Sequence, residues 1–251
     1  MAVAATVIGV LGTLVGSFLN VVVHRLPRGE SVVHPRSRCP ACGTQLAERD
    51  NVPVISWLVL RGRCRFCGVA ISLRYPLVEL ATGLAFAAVV VIAGFHIDLL
   101  WQLPLVAALL AAAAIDLEHR IIPNRLVIPM ALWGGATALA LRSGELAELA
   151  IAGGGAFLFL LAAALVSPAG MGMGDVKLAG AMGLYLGASI LPAMFIAFLA
   201  GSLVGIGVIA VKGGAGRKTG VPFGPFLAVG GIVGLLAGAD LIDAYRATFL
   251  S

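Results

Sequence analysis

The sequence predicts an all-α polytopic membrane protein with about eight transmembrane helices and one polar cytoplasmic loop domain. Three observations carry that reading. Of the 251 residues, 60% are hydrophobic, only 12% are charged and 33 are glycine, whereas soluble domains average about 45–50% apolar and about 25% charged. That leaves too few polar side chains to coat a water-facing surface, which excludes a large soluble enzyme, a disordered chain and a secreted disulfide scaffold. Apolar runs near membrane-spanning length recur along the chain. Finally, the 17 basic residues exceed the 12 acidic ones and gather in a few connectors, which is the pattern of membrane orientation rather than of nucleic-acid binding.

From Ala2 to Val23 there is no charge, and His24, Arg25 and Arg28 follow. A cleaved signal peptide carries its positive charge before the apolar run and a small-residue cleavage site after it. Neither is present, so residues 1–24 read as a retained first span. Residues 25–75 are polar and hold all four cysteines and nine of the 17 basic residues. Their one apolar stretch, Val52 to Leu60, is too short to cross a bilayer as a helix. From 76 to 251 the chain is almost continuously apolar. Spans are expected near Leu77–Phe95, Leu99–Ile115, Leu126–Leu141, Leu149–Val166, Val176–Leu186, Pro192–Val211 and Phe223–Leu241. The stretch 176–211 is short for two full crossings, but Gly187, Ala188 and Ser189 before Pro192 supply a break. With the N-terminus outside, the inner connectors are 25–74, 116–125, 167–177 and 212–222. They hold every Lys and Arg except Arg142 and Arg246, the asymmetry that the positive-inside rule expects.

Two C-x-x-C-G knuckles stand in the polar segment: Cys39, Cys42 and Gly43, then Cys64, Cys67 and Gly68. Two intervening residues let both sulfurs reach one Zn2+ at about 2.3 Å, and the glycine supplies the positive φ that turns backbone amides toward sulfur. The alternative is two disulfides, but a cytoplasmic loop is reducing. A segment this short and basic buries little core, so metal binding would supply its folding energy.

Asp116, in Ile115-Asp-Leu-Glu-His-Arg-Ile-Ile-Pro-Asn124, falls at the inner end of the third span. Asp175, in Gly172-Met-Gly-Asp-Val-Lys177, falls at the inner start of the sixth, so both carboxylates reach one face. Ionisable groups at the edge of apolar helices are costly and are functional candidates by default. The plainer readings are a helix N-cap for Asp175 and an interfacial ion for Asp116. Paired carboxylates do not both ionise easily; one keeps a proton and polarises a carbonyl while the other activates water. That chemistry is peptide hydrolysis. Gly172 and Gly174 would let an extended substrate backbone approach Asp175. Lys177 either lowers a carboxylate pKa or snorkels to lipid headgroups. Pro222-Phe-Gly-Pro225 either lines a substrate groove or breaks the last helix.

Gly172-Met-Gly-Asp175 resembles the GxGD signature of intramembrane aspartyl proteases. Further segments narrow the likeness to bacterial type IV prepilin peptidases: Gly16-Ser-Phe-Leu-Asn20 with His24-Arg-Leu-Pro27, both cysteine knuckles, Ile71-Ser-Leu-Arg-Tyr-Pro-Leu-Val-Glu79, the Asp116 segment, and Pro222-Phe-Gly-Pro-Phe226. They run in the family's order over nearly the whole chain. Ile115 before Asp116 departs from the Tyr-Asp of the presenilin-like branch. The resemblance implies catalytic aspartates at Asp116 and Asp175 and a location in the bacterial inner membrane. It also implies cleavage of type IV prepilins or type II secretion pseudopilins at the cytoplasmic face. N-methylation of the mature amine with S-adenosylmethionine is implied by the resemblance alone.

His24, His34, His96 and His119 share no ligand spacing with one another or with the cysteines. Glu79 either serves a site or partners Arg74. An ion-coupled transporter is the rival class, and it predicts acids near the bilayer midplane and inverted halves. Here both acids sit at one face and no half-repeat is found. A zinc adaptor without catalysis leaves the aspartates unexplained.

Overall fold

The computed structural model describes residues 1–167, 170–212 and 220–249, and among them every regular element is helical. The expected inner connector at 212–222 falls largely outside the described residues, with Arg217, Lys218 and Thr219 among those left out. Among the described residues nine α-helices follow in order: α1 (Ala2–Arg25), α2 (Ile55–Val59), α3 (Arg74–Ala93), α4 (Leu99–His119), α5 (Asn124–Leu141), α6 (Leu146–Val166), α7 (Met173–Leu186), α8 (Ile190–Lys212) and α9 (Gly224–Phe249). Each of the eight expected spans corresponds to one of the long helices. Six segments among the described residues are long and apolar enough to cross a membrane: Ala2–Arg28, Arg74–Ala93, Leu99–His119, Ser143–Val166, Met173–Lys212 and Gly224–Phe249. The difference has a physical cause. α5 opens on Asn124 and Arg125 and carries Pro129. α7 has 14 residues, about 21 Å of helix against a hydrocarbon core of about 30 Å. It continues into α8 through the single turn Gly187–Ser189, where Gly187 adopts φ +54°.

By internal contacts the chain divides into Met1–Leu99 and Leu100–Ser251. In the first unit, α1 lies along α3. A Cβ on Gly12 would stand 2.8 Å from the Thr82 carbonyl and one on Gly16 2.6 Å from the Glu79 Cα, so the missing side chains are what let the backbones meet. Lipid tails are as apolar as the helices, and close approach of this kind is what holds them together. The polar loop between α1 and α3 contains α2 and two isolated bridges, Arg38 with Gln45 and Arg63 with Ala70, one at each knuckle.

In the second unit, α7 is the central element, with ten of its residues buried. Small residues again set the spacing: a Cβ on Gly183 would lie 2.5 Å from Gly153 of α6. The buried Tyr185 of α7 donates its hydroxyl hydrogen bond to the Met130 carbonyl of α5 at 2.6 Å. Its ring fills the space that a side chain at Gly134 would need. Outward-facing Leu191, Phe195, Leu203 and Ile206 of α8 present an apolar surface suited to acyl chains.

Candidate active site and metal site

Asp116 lies one turn before the end of α4 and is 5% exposed. Arg120, at φ +54°, ends the helix, and the chain runs through Ile121 and Ile122 to Pro123, the N-cap of α5. The Asp116 carboxylate is met by α9: the Gly224 amide donates to its Oδ2 at 2.8 Å. Gly224 is the first residue of α9, and the first amides of a helix have no partner within it and carry its positive dipole end. Pro225 behind it favours a helix start there. The fit admits only glycine, since a Cβ at position 224 would stand 2.9 Å from Asp116 Oδ2 and 3.0 Å from its Cβ.

Asp175 sits in the first turn of α7 and is 9% exposed. Its Oδ2 accepts a hydrogen bond from the Gly172 amide at 3.2 Å, so the side chain does cap its own helix. Its Oδ1 is buried and has no hydrogen-bond partner among the described residues. The carboxylate lies within Coulombic range of Asp116. Each acid is thus anchored by one oxygen on a helix N-terminus, Asp116 on that of α9 and Asp175 on that of α7.

The neighbouring candidates divide. Gly172 is exposed. Gly174 faces the chain itself, because a Cβ there would lie 2.8 Å from the Cβ of Ile122. The Lys177 ammonium donates to Asn124 Oδ1 at 3.0 Å, which joins α7 to the start of α5. Gly224 stood in the sequence only as groove lining or a helix break, and Asn124 and Ile122 had no role there; all three are parts of this site. The Gly-Pro at 224–225 carried a signal for the first.

In the polar loop the two knuckles have the same fold. Gly43 donates to the Cys39 carbonyl and Gly68 to the Cys64 carbonyl, each at 2.9 Å. Both glycines adopt the left-handed conformation, at φ +71° and +69°. The four thiols are unpaired by disulfide, and their sulfurs all lie within 4.8 Å of one another. Cys39 and Cys67 are 3.8 Å apart, which is the edge of a tetrahedron with metal–sulfur bonds of about 2.3 Å, roughly 3.8 Å. The four cysteines are close enough to bind one metal ion. Thiolates are the ligating form. The hydroxyl and backbone of Thr44 push the Cys42 thiol down to about 6, and the Cys67 and Phe66 amides lower that of Cys64, while Cys67, against the pull of the Val69 amide, is pushed up to about 11 by burial and the neighbouring thiols. Arg65 grips the buried Asp50 carboxylate with Nε at 3.0 Å and Nη2 at 2.6 Å. That guanidinium holds Asp50 below the usual carboxylate range. No histidine joins the cysteine cluster among the described residues.

Residues 103–209, which include both aspartates, match the type IV leader peptidase family, and residues 10–93, which include all four cysteines, match the bacterial peptidase A24 N-terminal domain. A prepilin leader peptidase/N-methyltransferase of Burkholderia pseudomallei (strain 1026b) is 40% identical over 232 residues, 78% of this chain and 73% of the relative. The chain belongs to the type IV leader peptidase family. Another family member, the prepilin leader peptidase/N-methyltransferase of Pseudomonas aeruginosa, is 37% identical over 77% of each chain. That of Myxococcus xanthus is 54% identical over 132 residues, 53% of this chain and 39% of the relative. No solved structure matches the chain.

Proposed function

We propose that this member of the family is a membrane aspartyl endopeptidase. Its substrates are type IV prepilins or type II secretion pseudopilins, whose leader it removes at the cytoplasmic face of the bacterial inner membrane, with Asp116 and Asp175 as the catalytic pair. The observation that carries the reading is the arrangement of the two buried carboxylates, each with one oxygen tied to a glycine amide and the two within electrostatic reach. A carboxyl that holds a proton polarises the scissile carbonyl while the other carboxylate activates water. Asp175 Oδ1 has no partner among the described residues, and a buried acceptor left in that state costs about 1–3 kcal/mol. Water or substrate bound at that oxygen relieves the cost, which supports the reading of Asp175 as a group that meets the reacting atoms. Gly172, exposed beside it, leaves room for an extended substrate backbone. Gly174 and Lys177 support the site by packing on Ile122 and bonding to Asn124.

Three regions divide this work. Residues 1–24 anchor the chain with its N-terminus outside, residues 25–75 form a cytoplasmic zinc module on Cys39, Cys42, Cys64 and Cys67, and residues 76–251 form the protease core. Zinc is structural here: four thiolates fill its tetrahedron and leave no open position for substrate. The relatives' names include N-methyltransferase, and we extend that second step to this chain, with S-adenosylmethionine as donor and the newly exposed pilin amine as acceptor.

Cleavage of a prepilin by purified protein tests the first step. Asp116→Asn and Asp175→Asn each lower the rate by at least about 10²-fold, the low end of what acid–base groups contribute, with unchanged abundance in the membrane. Rates within tenfold of wild type in either variant overturn the pair. Mass spectrometry of the processed pilin tests the second step through the added methyl mass on its N-terminus.

A further inference from the structure

The first unit contains a cavity of about 640 Å3 between α1, α3 and the cysteine loop, lined among others by Asn20, Val21, Trp57, Tyr75 and Glu79. Sites for small molecules run from about 300 to 1,000 Å3, so the space fits a nucleoside-sized ligand. The peptidase chemistry assigned to Asp116 and Asp175 makes no use of it. Four buried polar residues line it: Asp50 is gripped by Arg65 and the Ser56 hydroxyl is bonded to the Val52 amide and the Arg49 carbonyl, which leaves Asn20 and Glu79 to meet a ligand. Asn20 is 2% exposed; its Nδ2 donates to the Tyr75 carbonyl at 3.0 Å, but its Oδ1 has no partner among the described residues. Glu79 is 7% exposed, and its carboxylate accepts a hydrogen bond from the Val54 amide at 2.7 Å, an uncharged donor.

The backbone next to Glu79 adds a second sign. Val54 holds φ +60°, an outlier for a β-branched residue, and strain of this kind persists where the surroundings over-determine it, often at ligand sites. Here it aims an amide at Glu79 Oε2. Trp57 lines the same space, and its Nε1 donates to the Ile71 carbonyl at 3.1 Å, which fixes the plane of the ring.

We infer that this cavity holds the methyl donor, a cationic sulfonium nucleoside, with Glu79 as the counter-ion to the sulfonium and Asn20 Oδ1 as an acceptor for one of its N–H groups. The inference rests on the proposal that the chain N-methylates its product. The fit is chemical. A buried carboxylate favours a cation over its neutral form, an unsatisfied buried acceptor is cheap to fill and costly to leave, and an indole face attracts both a purine ring and a positive charge. S-adenosylmethionine carries all three features, whereas its product S-adenosylhomocysteine has lost the sulfonium charge. A pocket built this way discriminates between them and releases the product.

The test is equilibrium binding of radiolabelled S-adenosylmethionine to full-length, zinc-loaded protein in detergent, with S-adenosylhomocysteine as competitor. Wild type is expected to prefer the sulfonium by about tenfold, roughly 1.4 kcal/mol. Glu79→Gln removes that preference while affinity for the neutral thioether stays within about threefold, and Asn20→Leu weakens both ligands about tenfold. A structural role for Glu79 predicts something else: loss of both ligands together, which overturns the counter-ion assignment. Should Glu79→Gln fail to accumulate, Val21→Phe narrows the cavity from α1, and donor binding must then fall at least about tenfold. If wild type methylates pilin while all three variants bind donor as it does, the pocket is elsewhere and the methylation reading stands. If wild type neither methylates nor binds donor, the methylation reading fails and this inference with it.

Discussion

Adding one methyl group at Gly224 perturbs the proposed site through its architecture and leaves both acids in place. In Gly224→Ala the new Cβ stands 2.9 Å from Asp116 Oδ2, 3.0 Å from its Cβ and 3.2 Å from its Cγ. Three atoms of one short side chain are crowded at once, so rotation about χ does not clear them. Either Asp116 or the start of α9 retreats by about half an ångström or more to restore ordinary contact, and forced shifts of this kind cost about 1–3 kcal/mol. The retreat also stretches the 2.8 Å bond from the Gly224 amide. Misplacing a catalytic group by about 1 Å can cost about 10²-fold in rate. The expected result is therefore a fall in kcat of about 10–100-fold with KM little changed, and a melting midpoint lower by a few degrees. Single-turnover cleavage of a prepilin by detergent-solubilised protein measures it. Gly135→Ala is the control, since no atom lies within 4 Å of the Cβ it would add. Wild-type kcat in Gly224→Ala, or an equal loss in Gly135→Ala, refutes the anchoring of Asp116 by α9.

Three further outcomes are expected. Purified protein kept reduced carries about one zinc per chain, and Cys64→Ser lowers the metal content measured by atomic emission while part of the peptidase activity survives; full zinc in that variant removes the site. For Asp50 the sign of the pH effect follows from its lowered folded-state value. The Arg65 pair stabilises the loop fully above the unfolded carboxylate value of about 4 and loses this as pH falls through the folded one, so the gap in loop proteolysis between wild type and Asp50→Asn is constant from pH 7 to about 5 and closes below about 4. A gap that widens on acidification contradicts the assignment. In the proposed orientation, with the N-terminus outside, a single cysteine at Ser37 in a Cys-less background is shielded from an impermeant reagent in intact cells and one at Ser143 reacts; the opposite pattern inverts the topology.

The features legible in the sequence are those written in local pattern. Apolar runs marked all eight long helices, and Gly187-Ala188-Ser189 marked the break between α7 and α8. The C-x-x-C-G spacing marked a four-sulfur cluster, and the positive φ expected of Gly43 and Gly68 is the one observed. Contacts between distant segments were illegible. Gly224 reaches Asp116 across 108 residues, and Glu79 reaches Val54 across 25. Helices apolar on every side carry little directional signal to show which face meets which neighbour, and in lipid the choice falls to small residues and backbone fit. The space required at Gly174 shows the consequence: the motif reads as room for a substrate, while Ile122 of the same chain occupies it.

Helix ends do in this membrane fold what charged partners often do in a water-exposed site. Asp116 is held by the leading amide of α9 and Asp175 by the amide just ahead of α7, and the Lys177 ammonium is occupied by Asn124. A buried salt bridge fixes a carboxylate at the cost of desolvating a second ion. Backbone amides at a helix start are already unpaired and already positive, so they position an acid without adding a second buried charge. They also leave the second oxygen of Asp175 without a partner among the described residues, as the proposed chemistry requires. The arrangement explains why glycines flank both acids. A side chain at Gly224 would enter the volume of the carboxylate it anchors, and one at Gly172 would stand 3.2 Å from Asp175 Oδ2. The GxGD pattern is in this sense the local half of a rule whose other half, the Gly-Pro start of α9, stands 49 residues further along the chain.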